Sequence, residues 1–139
     1  MLKSKGRRIK ISDIQKLREN LLHDVLVDQG YKPRVERYIS SDYSKAGYYL
    51  ISMNSNGSWS DIEYADRDNN WAPLAHLDRL VVMSFNYMKD TSQLYQNKKL
   101  LTGIEKSIGY WYQYNPVCDN WYKNKIAKQF YFNVIALLM

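Results

Sequence analysis

The stretch "IGYWYQYNPVCDNWYKNKIA", Ile108 to Ala127, decides how this chain is read. Its first part is helical in period, with Ile108 and Trp111 continuing an apolar stripe begun at Leu100 and Ile104. Asn115-Pro116 ends that helix, because the residue before a proline is pushed out of the α region. Asp119 or Asn120 can cap the next one, which runs on through Ile126, Phe130, Val134, Ala136 and Leu137. Helix, break, cap and helix is the grammar of an all-α chain. At the cap stand Asn120, Trp121 and Tyr122, with Lys123 and Lys125 following. The two rings either fill a core or form a surface on which something flat can lie.

Outward from this stretch the helical pattern persists. Ser12 can cap a helix with Ile14, Leu17, Leu21 and Val25 on one face, ending near Gly30. Pro33 can open a second, with Val35, Tyr38, Ile39, Ala46, Tyr49, Leu50 and Met53 at helical spacing. A third follows Pro73, its inner face being Leu77, Leu80, Val81, Ser84 and Met88. The fourth is expected from about Leu94 to Tyr112. Between the second and third, residues 58–72 follow neither period and carry Trp59, Asp61, Glu63, Asp66, Asp68 and Trp71. Long connections of this kind are more often functional than incidental. The end, Phe130 to Met139, is apolar nearly all round and has no stop signal, as if more helices were expected around it.

Composition bounds the function. A chain of 139 residues with 45% apolar residues suits one folded domain. Thirteen tyrosines and four tryptophans are unusual, and rings with a polar tip suit surfaces that are half dry. Of the net +6, five charges come from Lys3, Lys5, Arg7, Arg8 and Lys10, so residues 1–10 read as a basic tail ahead of a domain over 11–139. Without a recognition motif beside it, that tail does not predict nucleic-acid binding. No apolar segment is long enough to span a membrane, and no secretory signal is evident. The single Cys118 excludes an intrachain disulfide.

Candidate chemistry is sparse. His23 and His76 belong to no metal-ligand spacing, so neither a metal nor a cofactor is expected. His76, beside the acidic loop, reads as a structural residue before a cleft residue. Asp61 with Glu63, or Asp66 with Asp68, could imitate a glycosidase carboxylate pair, but loop acids usually shape turns. Asn56-Gly57-Ser58 fits a short glycosylation sequon. The strongest signal is the group Asn120, Trp121, Tyr122, Lys123 and Lys125. It joins apolar ring faces, an amide and positive charge, which suits an acidic sugar.

Four stretches in fixed order extend that reading: "NGSWSDIEYADRDNNW" (56–71), "HLDRLVVMSFNY" (76–87), "IGYWYQYNPVCDNWYKNKIA" (108–127) and "VIALLM" (134–139). Together they resemble the N-terminal α-helical domain of the family 8 polysaccharide lyases, the chondroitin AC, hyaluronate and xanthan lyases. The resemblance implies a partial (α/α) toroid of about five to six antiparallel helices. It also implies β-elimination on a uronic-acid polysaccharide of the chondroitin or hyaluronan class. Asn120 and Trp121 match the family's Asn-Trp-Trp glycan-stacking patch, with Tyr122 in place of the second tryptophan. The Asn, His, Tyr and Arg groups that perform the family's elimination come later than residue 139, and His76 matches the histidine of the "HL" helix start. The expectation is therefore a fragment that binds acidic polysaccharide without a catalytic centre, with self-association through its exposed last helix. The alternative is a non-enzymatic helical module that binds protein or carbohydrate. Members of the family are secreted or periplasmic in bacteria, and the chain itself leaves its compartment open.

Overall fold

In the computed structural model, residues 10–26 and 42–139 are described. The rest of the basic tail and the segment from residue 27 to 41, including the helix start expected at Pro33, lie outside the described residues. Within them every regular element is helical: α1 (Ile11–Leu26), a 3-10 turn (Tyr43–Lys45), α2 (Ala46–Ser52), α3 (Leu74–Met88), α4 (Lys98–Tyr114), a π-helical segment (Lys123–Ala127) and α5 (Lys128–Leu138).

Helix α3 is the hub and packs against α2, α4 and α5. Its inner face is Leu77, Leu80, Val81 and Ser84, as the spacing predicts, while Met88 stays half-buried. The core continues with Leu100, Ile104 and Trp111 of α4 and Tyr131 and Ile135 of α5. Two of the largest fully buried side chains, Trp59 and Trp71, come from the aperiodic loop. That loop is part of the core, because aromatic rings supply buried area that short helices lack.

Three boundaries differ from the sequence reading. Helix α1 begins at Ile11, one residue before the expected cap Ser12, and the Asp13 carboxylate accepts from the Lys10 N–H at 3.1 Å. Its expected core stripe is open to solvent: Ile14, Leu17 and Leu21 are 59%, 59% and 45% exposed. Amphipathic spacing makes a helix, but burial needs a neighbour, and among the described elements α1 packs chiefly against α5, where Arg18 Nη2 donates to the Leu137 carbonyl at 3.4 Å. The second helix does not run unbroken to Met53. Asp42 is extended and caps a fresh start, accepting from the Ser44 N–H at 3.1 Å and the Ser44 hydroxyl at 2.6 Å. Short polar side chains compete with helix in this way. Helix α4 starts at Lys98 rather than Leu94, because Asn97 accepts from the Leu100 N–H at 3.0 Å. Its end agrees with expectation, with Asn115 left-handed at φ 53° ahead of Pro116.

Candidate functional site

The loop before α3 fixes the frame. Gly57, at φ 90°, lies so close to α4 that a Cβ would collide with the Lys106 carbonyl, so only glycine fits. Asn56 Oδ1 accepts from the Ser58 N–H at 3.0 Å and its hydroxyl at 2.7 Å, which makes the sequon-like triplet a turn. Trp59 Nε1 donates to the Tyr49 carbonyl at 2.9 Å. The Arg79 guanidinium grips both Asp61 oxygens at 2.8 and 2.6 Å and lies over the Tyr49 and Trp59 rings.

The loop acids do not form a catalytic pair. Asp61 is engaged by Arg79, whose hydrogen bonds hold its carboxyl below the usual range. Glu63 accepts from the Ala65 N–H at 3.0 Å. Asp66 accepts from the Ala72 N–H at 2.6 Å and the Asp68 N–H at 2.9 Å, and these bonds lower its pKa as well. A general acid needs a raised carboxyl pKa, and the bonds to Asp61 and Asp66 act the other way.

His76 is fully buried. Its Nε2 lies 2.9 Å from the Ser107 carbonyl, which can only accept, so the proton sits on Nε2. Nδ1 is then an acceptor for the Tyr64 hydroxyl at 2.8 Å, and Tyr64 Oη accepts in turn from the Trp59 N–H at 3.1 Å. The relay ties the loop to α3 and α4. Burial pulls His76 down to about 4 and pushes Tyr64 up to about 12, so both are neutral and sealed from solvent at neutral pH. His76 holds structure and faces no cleft. His23 lies exposed on α1.

At the last helix Asn120 is the cap, its Oδ1 accepting from the Tyr122 N–H at 3.0 Å. Asn120 Nδ2 donates to Asn69 Oδ1 at 3.3 Å, leaving one amide hydrogen for another partner. Trp121 is 69% exposed, which removes it from the core. Its ring meets Tyr122 edge-on, with centroids 6.1 Å apart and planes at 85°. Adjacent helical residues point about 100° apart, so the two rings make a corner rather than one flat platform. By the same spacing Lys125, four residues on, returns to the side of Trp121, and it is exposed. Lys123, two residues on, falls on the opposite side and is half-buried. The expected set of five is thus split by helix geometry. Trp121 and Lys125 are exposed, Tyr122 forms the corner, and Lys123 is half-buried.

The sequence reading missed what holds this corner. Arg67 donates through Nε and Nη2 to Asp119 Oδ1 at 2.9 and 2.6 Å. The Asp119 N–H donates to the Arg67 carbonyl at 3.1 Å, and Cys118 Sγ reaches the Arg67 and Asp68 carbonyls at 3.5 and 3.4 Å. These partners are separated by about fifty positions in the chain, beyond any local pattern. Behind the corner the helix passes into the π-helical segment, where Lys128 N–H bonds to the Lys123 carbonyl. π-helical turns cluster at functional sites because they re-aim side chains. Between α4 and α5, Ile108, Trp111, Tyr112, Phe132, Ala136 and Met139 line much of an apolar groove of about 280 Å³.

Among the described residues no group of three or more His, Cys, Asp or Glu could hold a metal, and no helix is long and apolar enough to cross a membrane.

Comparison with known proteins places this architecture. A chondroitinase-AC from Pedobacter heparinus is 35% identical over 79 residues, which are 56% of this chain and 11% of that protein. A solved chondroitinase AC lyase, from a structural study of enzyme–oligosaccharide complexes and mutagenesis, superposes with a TM-score of 0.67 at 29% identity, covering 76% of this chain and 16% of that one. The chain thus spans a small part of the length of either relative. The family model for the N-terminal α-helical domain of polysaccharide lyase family 8 matches residues 27–139, and the chain belongs to that family.

Proposed function

We propose that this chain is the glycan-holding N-terminal part of a lyase that cleaves acidic polysaccharide of the chondroitin or hyaluronan class by β-elimination. One observation carries the reading: Trp121 stands 69% exposed directly behind the capping Asn120. An exposed indole has a free face for the C–H side of a pyranose, and the spare Asn120 amide hydrogen can meet a hydroxyl. Lys125 on the same side supplies counter-charge for a carboxylate or sulfate, and residues 120–139 contain three lysines and no acid. Tyr122 bounds the ring's edge. The partial toroid belongs to this proposal too, with the groove beside α5 as a face that further helices would cover.

Elimination needs a base for the C5 proton, a proton for the leaving oxygen and neutralisation of the uronate. His76 and Tyr64 are bound to each other inside the core and can serve none of these roles. The proposal therefore gives His76 and Tyr64 no part in cleavage and assigns the Asn120–Trp121 corner to binding.

The test is titration with chondroitin sulfate, hyaluronan and a neutral polysaccharide. The expected result is binding of the acidic polymers that weakens with salt and disappears in Trp121→Ala. No binding to any of them would overturn the proposal. A second reading, a helical module that binds protein, draws on the apolar groove and on exposed Tyr112 stacked on Phe132 at 6.0 Å and 8°. It predicts unchanged behaviour of Trp121→Ala in every glycan titration.

A further inference from the structure

The Arg67–Asp119 pair is unusual in where it acts. Its side chains are 58% and 69% exposed, so as an ion pair it adds little to stability. Yet the bonds described between the two loops converge on the three residues before Trp121. The Arg67 carbonyl accepts from the Asp119 N–H, its guanidinium closes on Asp119 Oδ1, Cys118 Sγ reaches the Arg67 and Asp68 carbonyls, and Asn69 accepts from Asn120. The far end of the same loop is anchored by Asp66, which accepts from Ala72 N–H, and by fully buried Trp71 at φ 36°, a backbone conformation that is strained for a bulky residue. One end of the clamp is fixed in the core, and the other sets the helix start.

We infer that Arg67 and Asp119 are positioning residues that fix the Asn120–Trp121 corner for an acidic glycan. The inference rests on the binding role proposed above. Without the clamp, the backbone at 118–120 is free to fray, and the cap and the indole lose their common orientation. Affinity then falls while the core, which the exposed Arg67 and Asp119 side chains do not enter, stays intact.

The test uses the full chain as Arg67→Ala, Asp119→Ala and the exchanged pair R67D/D119R. Chondroitin sulfate titration is paired with hydrogen exchange at the position-119 and Tyr122 amides. Both single variants should lose about five- to tenfold in affinity, the scale of one lost hydrogen bond or slightly more. Both amides should exchange faster, with little change in melting temperature, and the exchanged pair should recover affinity. Asp119→Ala is the decisive arm, because it makes the chain more positive. If the pair acted only through charge, that variant would bind an acidic glycan more tightly, whereas positioning predicts weaker binding. Unaltered exchange at both amides, or unaltered affinity in Arg67→Ala, overturns the inference. If the parent chain binds no glycan, the proposed function fails instead, and the exchange data still decide whether the pair sets the helix start.

Discussion

His76 shows how a residue typical of active sites becomes structural. Its ring contacts Trp59, Tyr64, Tyr110 and Trp111, and both nitrogens are committed to protein partners. Held near 4 against 6.5 for an ordinary histidine, it binds fewer protons folded than unfolded between those values. Stability is therefore full above pH 6.5 and falls as the pH drops towards 4, by up to about 3 kcal/mol from this group. Urea unfolding at pH 7 and pH 4.5 should show that loss, and His76→Gln should be less stable at pH 7 but flatter across the window. The lowered carboxyls of Asp61 and Asp66 act in a different range, since their stabilisation is lost below the ordinary carboxylate pKa. Gly57 gives a second expectation at this scale. With φ 90° and the Lys106 backbone in the way, Gly57→Ala should cost at least about 2 kcal/mol, read as a lower denaturation midpoint. The structural role of His76 was the favoured reading, but its relay partners and the constraint at Gly57 were not legible beforehand. His76 could be read only as structural before cleft-lining, and nothing around Gly57 announced that α4 would lie against it.

Among the elements, the last helix separates what local pattern reveals from what it hides. Its cap was legible to within one residue, Asp119 or Asn120, because both offer a capping side chain ahead of an apolar stripe, and α3 was legible from Pro73 onward by its own apolar spacing. The π-helical segment was hidden, since no residue type specifies an i to i−5 bond on its own. The exposure of α1's stripe was hidden too, because period reports a helix and not its neighbour. The cap itself can be dissected by two substitutions. Asn120→Ala removes the acceptor for the Tyr122 N–H and should cost about 1 kcal/mol of stability together with glycan affinity. Asn120→Asp keeps an acceptor at that N–H but replaces the amide donor with negative charge. Its melting temperature should stay near that of the parent while binding of chondroitin sulfate is lost. Equal affinity in parent and Asp variant would remove Asn120 from the proposed contact and leave it a cap alone.

At the scale of the molecule, the four tryptophans divide cleanly. Trp59, Trp71 and Trp111 are 1%, 0% and 3% exposed, whereas Trp121 is 69% exposed. The buried three are ring partners in one core: Trp59 meets His76, and Trp71 meets Trp111. Truncating Trp111 to Ala should therefore cost about 3–5 kcal/mol and unfold much of the chain. Trp121→Ala removes little buried area, so it should melt within a few degrees of the parent. This division makes intrinsic fluorescence a direct probe of the proposed site. In the free chain, iodide or acrylamide should quench a single red-shifted component, and Trp121→Ala should abolish that component. Chondroitin sulfate at saturation should shield it and shift emission to the blue, because a sugar laid on the indole replaces water there. A glycan that binds without shielding Trp121 would place the contact elsewhere, and the tryptophan would then be an exposed ring with no part in recognition.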